Sequence, residues 1–360
     1  MTPVWLEPVR GGYPDLALFA LSGIEQVRAF VGGAAPLPPI GHLTGMLPVE
    51  VGPGLTTFTM PASPWLMSPP GLIQGGVLAV LADGPLGCAI QTTLPPATPY
   101  TTAELSMNFL RPAFPSSGVL TARGTLIHAG RSLALSQVSI EDARGRLLAH
   151  GTSRCVIFPP VGTAAASDLP VVDAPTYDTP DPFERPDPGT IVPEETWSLM
   201  SGLDVMRALL DGSLAPPPIH HLTGMMPFAV AEGSAEFRLP ATEWLCSPLG
   251  RVEGGVIAML ADSAIASSIQ STLPPKTAYA SIDLKVTFIR PVAPDGHDLI
   301  ARARVIHRGK TLATASAVVE NADGKQVATA VGSAMIFADR TPTLEHMAPV
   351  DEPAAEPDTR

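Results

Sequence analysis

Residues 72–83 read LIQGGVLAVLAD and residues 251–262 read RVEGGVIAMLAD: two glycines, an apolar run, and one aspartate. The apolar residues keep helical spacing, so the pattern predicts a long buried helix from about Gly75 to Thr93, and its counterpart further along. Upstream, SGIEQVRAFVGG has apolar positions at helical spacing and closes on glycine, predicting a short helix. HLTGMLPVEVGPGLTTFTMPA alternates around Gly-Pro-Gly and predicts a hairpin. Downstream, AELSMNFLRP, VLTARGTLIHAG, SLALSQVSIEDARG and RLLAHGTSRCVIF predict four consecutive strands joined mostly by short turns. One apolar helix against a strongly bent antiparallel sheet is an α+β layout, with the sheet wrapped around the helix.

The whole arrangement occurs twice. Gly75-Gly76 and Gly254-Gly255 are 179 residues apart, and the same offset carries PPIGHLTGM onto PPIHHLTGM, QTTLPP onto QSTLPP, and IHAGRSLA onto IHRGKTLA. Residues 21–158 map onto 200–337 without insertion or deletion. The chain is therefore a tandem duplication. We assign residues 1–158 to a first domain, 159–196 to an extended linker rich in Pro and Asp, 197–340 to a second domain, and 341–360 to a disordered acidic tail.

Composition narrows the class. With 45% hydrophobic and 16% charged residues the chain suits an ordered soluble protein, and no apolar run is long enough to span a bilayer. The N-terminal stretch shows no secretory signal pattern. Cys88, Cys155 and Cys246 are odd in number and lack metal spacing, which predicts a reduced, cytoplasmic setting. A formal net charge of -12 argues against nucleic acid as a partner.

An aspartate inside a buried helix needs a reason. By helical geometry Asp83 shares a face with Gly76, Ala79 and Gly87, and Asp262 shares one with Gly255, Ala258 and Ala266. Each carboxylate thus lies on a stripe of small residues that allows close approach by a neighbour or ligand. Desolvation there raises its pKa and strengthens it as a base once ionised. The Gly-Gly start of each helix offers free N–H groups and a positive dipole end to a developing oxyanion. The alternative reading is structural, with each aspartate bonding only to a neighbouring strand or backbone amide.

These motifs, with FLRP or FIRP and then HAGRSLA or HRGKTLA following, resemble the phenylacetyl-CoA thioesterase-like (PaaI-like) hotdog proteins over residues 21–158 and 200–337. The resemblance implies two hotdog domains paired within one chain as a pseudo-dimer, and acyl-CoA thioester hydrolysis. It implies Asp83 and Asp262 as base or nucleophile, the Gly75 and Gly254 N–H groups as oxyanion donors, and Thr102 and Ser281 as polar partners from the opposite hotdog. On that basis one composite site joins Gly75, Asp83 and Ser281, and the other joins Gly254, Asp262 and Thr102. Gln74 and Glu253 stand where the family usually has His, and Ser68 and Ser247 where it often has Asn or Gln. With Gly76 and Gly255, these four count as substrate-binding candidates.

Pro85 is expected to disturb the first helix, which makes Asp262 the preferred base. Arg131 and Lys310, on matching turns, are candidates for the CoA phosphates. Coenzyme A enters as part of the substrate, and no cofactor or metal is required. His42 and His221 read as capping or packing residues, His128 and His307 as surface residues, and Trp65 and Trp244 as core. Two rivals remain at this stage: a non-catalytic acyl-CoA binding or scaffold protein, and a hotdog hydratase, whose His–carboxylate pairing is not found near either helix. Spacing alone leaves open the acyl group and any further homodimerisation of the tandem chain.

Overall fold

The structure is a computed structural model that describes residues 2–161, 176–187 and 189–342. The predicted acidic tail, apart from its first two residues, and part of the predicted linker lie outside the described residues. In the first unit α1 (Gly23–Val31) and a short α2 (Pro39–Thr44) precede β1 (Leu47–Gly52), β2 (Leu55–Pro61), the long α3 (Gly75–Gln91), and β3 (Tyr100–Phe109), β4 (Val119–Ala129), β5 (Leu133–Glu141) and β6 (Leu147–Ile157). A one-turn α4 (Glu194–Leu199) leads into the second unit. There α5 (Gly202–Asp211), α6 (Pro218–Thr223), β7 (Met226–Ala231), β8 (Ser234–Pro240), α7 (Gly254–Gln270), β9 (Thr277–Phe288), β10 (Asp298–Arg308), β11 (Leu312–Glu320) and β12 (Gln326–Ala338) repeat the order. The predicted α+β architecture of two hotdogs is present.

Helices α3 and α7 are apolar on every face, and such a helix is stable only inside a core. Val77 to Ala82, Leu86, Ala89 and Ile90 are buried in α3, as are Val256 to Ala261, Ala264, Ile265 and Ile269 in α7. Burying each large aliphatic side chain contributes roughly 1.5–3 kcal/mol. Packing outweighs end effects here, because the N-cap residues Gln74 and Glu253 make no capping bond. Helix α3 runs on through Pro85, whose carbonyl accepts the Thr56 hydroxyl at 2.9 Å.

All twelve strands form one antiparallel sheet in the order β1-β2-β4-β5-β6-β3-β9-β12-β11-β10-β8-β7. The two units meet where β3 pairs with β9, from Glu104↔Thr287 to Asn108↔Asp283, with Ser106↔Lys285 at the centre. Those two residues occupy equivalent positions in the repeat, so the join has pseudo-two-fold symmetry. The long helices also touch. A Cβ on Gly76 would lie 2.6 Å from Met259 Cα, and one on Gly255 would lie 2.6 Å from Val80 Cα. The small-residue stripes thus bring the start of each long helix against the middle of the other.

Strand β3 carries a register shift between Thr102 and Glu104, and β9 carries the same shift between Ser281 and Asp283. Strict alternation from the buried Leu105 and Met107 would turn Thr102 away from the helix. The extra residue, Ala103 or Ile282, reverses the parity, so that Tyr100 and Thr102 face inward with Leu105.

The leading segments are exchanged. Trp5, in the N-terminal stretch, would clash with a Cβ on Gly224 of the second unit, and the Glu7 carbonyl accepts Trp244 Nε1 at 3.1 Å. Phe183 lies against Gly45 of the first unit in the same way, and the Arg185 carbonyl accepts Trp65 Nε1 at 2.8 Å. Arg185 also forks onto the Glu7 carboxylate at 2.7 and 2.9 Å, tying the two arms together. The described part of the linker packs on the two units: Asp181 pairs with Arg10 and His42, and Val192 is buried. Aromatic and charged residues among the prolines anchor this stretch.

Candidate active site

Asp262 is 2% exposed at the middle of α7. Its Oδ2 accepts the backbone N–H of Gly76, at the start of α3, at 2.8 Å. Desolvation pushes its pKa up to about 6, and the Gly76 N–H and the Gln74 side chain partly oppose that rise. The Gln74 amide also bonds the Ser263 hydroxyl. As the first residue of α3, Gly75 has no partner for its N–H within the helix. A Cβ there would sit 3.5 Å from Asp262 Oδ2, so this glycine meets the carboxylate directly.

Asp83 mirrors this with a difference. Its Oδ2 accepts the Gly255 N–H at 2.9 Å, and its Oδ1 accepts the Thr102 hydroxyl at 3.4 Å. Burial raises its pKa, against the bonds from Gly255, Thr102 and Gly254. Glu253 takes the place of Gln74 beside it, and Gly84 takes that of Ser263. Among the described residues Glu253 Oε2 has no hydrogen-bond partner. Desolvation, and then the charge of Asp83, push the Glu253 pKa well above the usual carboxylate range.

These bonds correct the predicted composition of both sites. Asp83 meets Gly254 and Gly255 together with Thr102, not Gly75 with Ser281. Asp262 meets Gly75 and Gly76, and Ser281 lines the same cavity. Thr102 therefore does not join Gly254 with Asp262. The cause is topological: β3 and β9 each fold over the helix of their own unit, while the helices exchange N-termini. In both halves the second glycine's N–H bonds the aspartate, and in the Asp83 half the Gly254 N–H adds to it.

A cavity of about 500 Å³ opens at Asp262. Gly75, Gln74 and Ser281 line it beside the carboxylate, and Leu78, Phe109, Met206, Leu209, Met225 and Phe237 supply apolar wall. Ser68 lines it as well, but its hydroxyl donates to the Leu72 carbonyl at 2.9 Å. Ser247 holds the matching turn, donating its N–H to the Arg251 carbonyl at 2.9 Å. Arg131 and Lys310 are exposed at hairpin turns and do not line the cavity. Trp65 and Trp244 are core residues, as predicted. His42 binds Asp181 through Nδ1 at 2.8 Å.

Four further residues line the cavity that the sequence reading passed over: His220, Ser263, Gln270 and Tyr279. The signal for three of them lay in the differences between the copies, where Gly41 faces His220, Gly84 faces Ser263, and Gln26, the neighbour of Gln91, faces Val205. Among the described residues no cluster of His, Cys, Asp and Glu could hold a metal, and no helix is long and apolar enough to cross a membrane.

The thioesterase superfamily model matches residues 70–149 and 249–328, one match over each Gly-Gly helix and the strands after it. A Halobacterium salinarum protein named "Putative esterase VNG_1336C" is 31% identical over 153 residues, which is 39% of this chain and 99% of that protein. A conserved protein with a hot dog fold from Alicyclobacillus acidocaldarius superposes with a TM-score of 0.50 at 15% identity, covering 83% of this chain and 98% of that one. A thioesterase family protein from Silicibacter pomeroyi is 24% identical, with a TM-score of 0.34, over 37% of this chain and 98% of its own. With the carboxylate set against the helix start in both halves of a hotdog pair, the chain belongs to the thioesterase superfamily.

Proposed function

We propose that this chain hydrolyses acyl-CoA thioesters to a free acid and CoA, and that the Asp262 site carries the reaction. The observation that carries this reading is a nearly fully buried carboxylate opening on an apolar cavity beside an N–H with no helical partner. In the base form, Asp262 takes a proton from water and the resulting hydroxide adds to the thioester carbon. In the nucleophile form the carboxylate itself adds, and water then cleaves the anhydride. Either way the carbonyl oxygen becomes an oxyanion, which the Gly75 N–H stabilises; losing such a donor costs roughly 3–4 kcal/mol of barrier. The C–S bond then breaks, and the CoA thiolate leaves and is protonated. Ser281, in the cavity wall, orients the water or the carboxylate. The family membership and the esterase-named relative support a hydrolase.

A second reading applies to the Asp83 half, where ligand binds without turnover. Glu253 favours it, because a buried acid whose Oε2 has no hydrogen-bond partner among the described residues replaces the amide that holds Asp262. CoA release from a panel of acyl-CoAs, followed by thiol titration on the parent and on Asp262→Asn and Asp83→Asn, tests both readings. Thiol release from no thioester in the panel overturns the hydrolase assignment, and release that survives in the double variant overturns the roles of the two aspartates.

A further inference from the structure

The wall of the Asp262 cavity holds two buried polar groups that no protein group satisfies. His220 on α6 is 6% exposed, and Gln270, the last residue of α7, is 7% exposed; both line the cavity. Among the described residues neither His220 Nδ1 nor Gln270 Nε2 has a hydrogen-bond partner. Each such group costs about 1–3 kcal/mol when left unmade, so two in one wall require an explanation.

The first unit supplies the internal control. There Gln91 holds the place of Gln270, and it is satisfied: its Nε2 donates to Gln26 Oε1 at 2.8 Å, and its Oε1 accepts the Tyr100 hydroxyl at 3.2 Å. In the second unit Val205 replaces Gln26 and removes the acceptor. Ala266 replaces Gly87, where a Cβ would come within 3.3 Å of the tyrosine hydroxyl. His220 replaces Gly41 and adds an imidazole. Loss of that acceptor leaves the Gln270 amide open, and the added imidazole and Ala266 line the same cavity.

Resting on the reading of this cavity as an acyl pocket, we infer that it takes acyl groups bearing a hydroxyl remote from the thioester, bound by His220 and Gln270. A hydroxyl suits either open atom: its oxygen accepts from Gln270 Nε2, and its hydrogen is donated to His220 Nδ1 in the tautomer protonated at Nε2. Gln270 follows Asp262 by eight residues, about 12 Å along the helix, which places the substituent far from the reacting carbon. Burial pushes the His220 pKa down to about 3. A neutral imidazole and an amide suit an uncharged group and give a carboxylate no counter-ion.

Binding of non-hydrolysable 2-oxoalkyl-CoA thioethers, in matched pairs with and without a terminal hydroxyl and over a range of chain lengths, tests this by calorimetry on the full chain. At least one hydroxyl-bearing member is expected to bind roughly ten- to a hundredfold more tightly than its plain partner, the worth of one or two good hydrogen bonds. The combined His220→Leu Gln270→Met variant should lose that preference. Val205→Gln, which restores the first unit's acceptor, should lower the preference without emptying the wall. Gln91→Met, in the other half, should leave it unchanged. Equal affinity within every pair, no binding at all, or a preference that survives both the double variant and Val205→Gln overturns the inference. The probes do not turn over, so a chain that shows the preference yet releases no thiol refutes the hydrolase reading and leaves this one standing.

Discussion

Asp262 Oδ2 accepts the backbone N–H of Gly76 at 2.8 Å, although 186 residues separate them. One bond thus joins the middle of the second unit's helix to the start of the first unit's. The carboxylate and the N–H it accepts come from different copies, so neither copy alone holds the pair.

Asp262→Asn should lower kcat/KM for thioester hydrolysis by about 10²–10⁴-fold, the usual contribution of a positioned base. Asp83→Asn should retain most of the parent activity, because beside it stands a buried acid whose Oε2 has no hydrogen-bond partner among the described residues. Thiol release under matched conditions separates them, and a deeper loss in Asp83→Asn would reverse the ranking of the sites.

Desolvation pushes Asp262 up to about 6 and sets the pH dependence. The carboxylate is the reactive form, so kcat/KM in an Asp83→Asn background should be flat above neutrality. It should fall about tenfold per pH unit below the inflection near 6. Initial rates between pH 4.5 and 8.5 read this directly, and an inflection near an ordinary carboxylate value would remove the desolvation argument.

The same carboxylate lowers stability when charged. Its folded pKa lies above its unfolded value, so the folded state binds more protons, and stability declines as pH rises from about 4 to 6. Asp262→Asn keeps an acceptor for Gly76 and removes the buried charge. It should stabilise the chain by about 1–3 kcal/mol at pH 8 and by little at pH 4. Denaturant melts at the two pH values test the sign.

Glu253→Gln should raise thermal stability at neutral pH, since it removes a buried acid whose folded pKa lies well above its unfolded value. Thermal melts at neutral pH report the effect. A Tm that falls would show that Glu253 has a stabilising partner in solution.

Gly76→Ala should destabilise by roughly 1–3 kcal/mol or more, because the new methyl would lie 2.6 Å from Met259 Cα, and backbone cannot rotate away. Gly12→Ala, whose Cβ meets nothing nearer than 3.6 Å, is the control. Equal midpoints for the two in urea would mean that the helices are not held in contact.

The duplication, the long helices and the hairpins were legible in the sequence because each rests on local periodicity. So were Asp83, Asp262 and the glycine pairs, which repeat at one spacing. The partner of each aspartate was not. Thr102 and Asp83 are 19 residues apart, and whether they meet depends on a single extra residue in β3, which no alternation pattern reveals. The exchange of helix starts depends on how Gly76 and Gly255 let two backbones touch, a contact between distant parts of the chain. His220 and Gln270 gained meaning only when their surroundings were compared with Gly41, Gln26 and Gln91.

A pair of identical subunits must carry every mutation in both of its pockets at once. Fusing the subunits into one polypeptide lifts that restriction: Glu253 stands beside Asp83, and His220 lines the cavity at Asp262. Gene fusion thus allows a symmetric scaffold to hold two chemically distinct aspartate surroundings in fixed one-to-one ratio, independent of protein concentration.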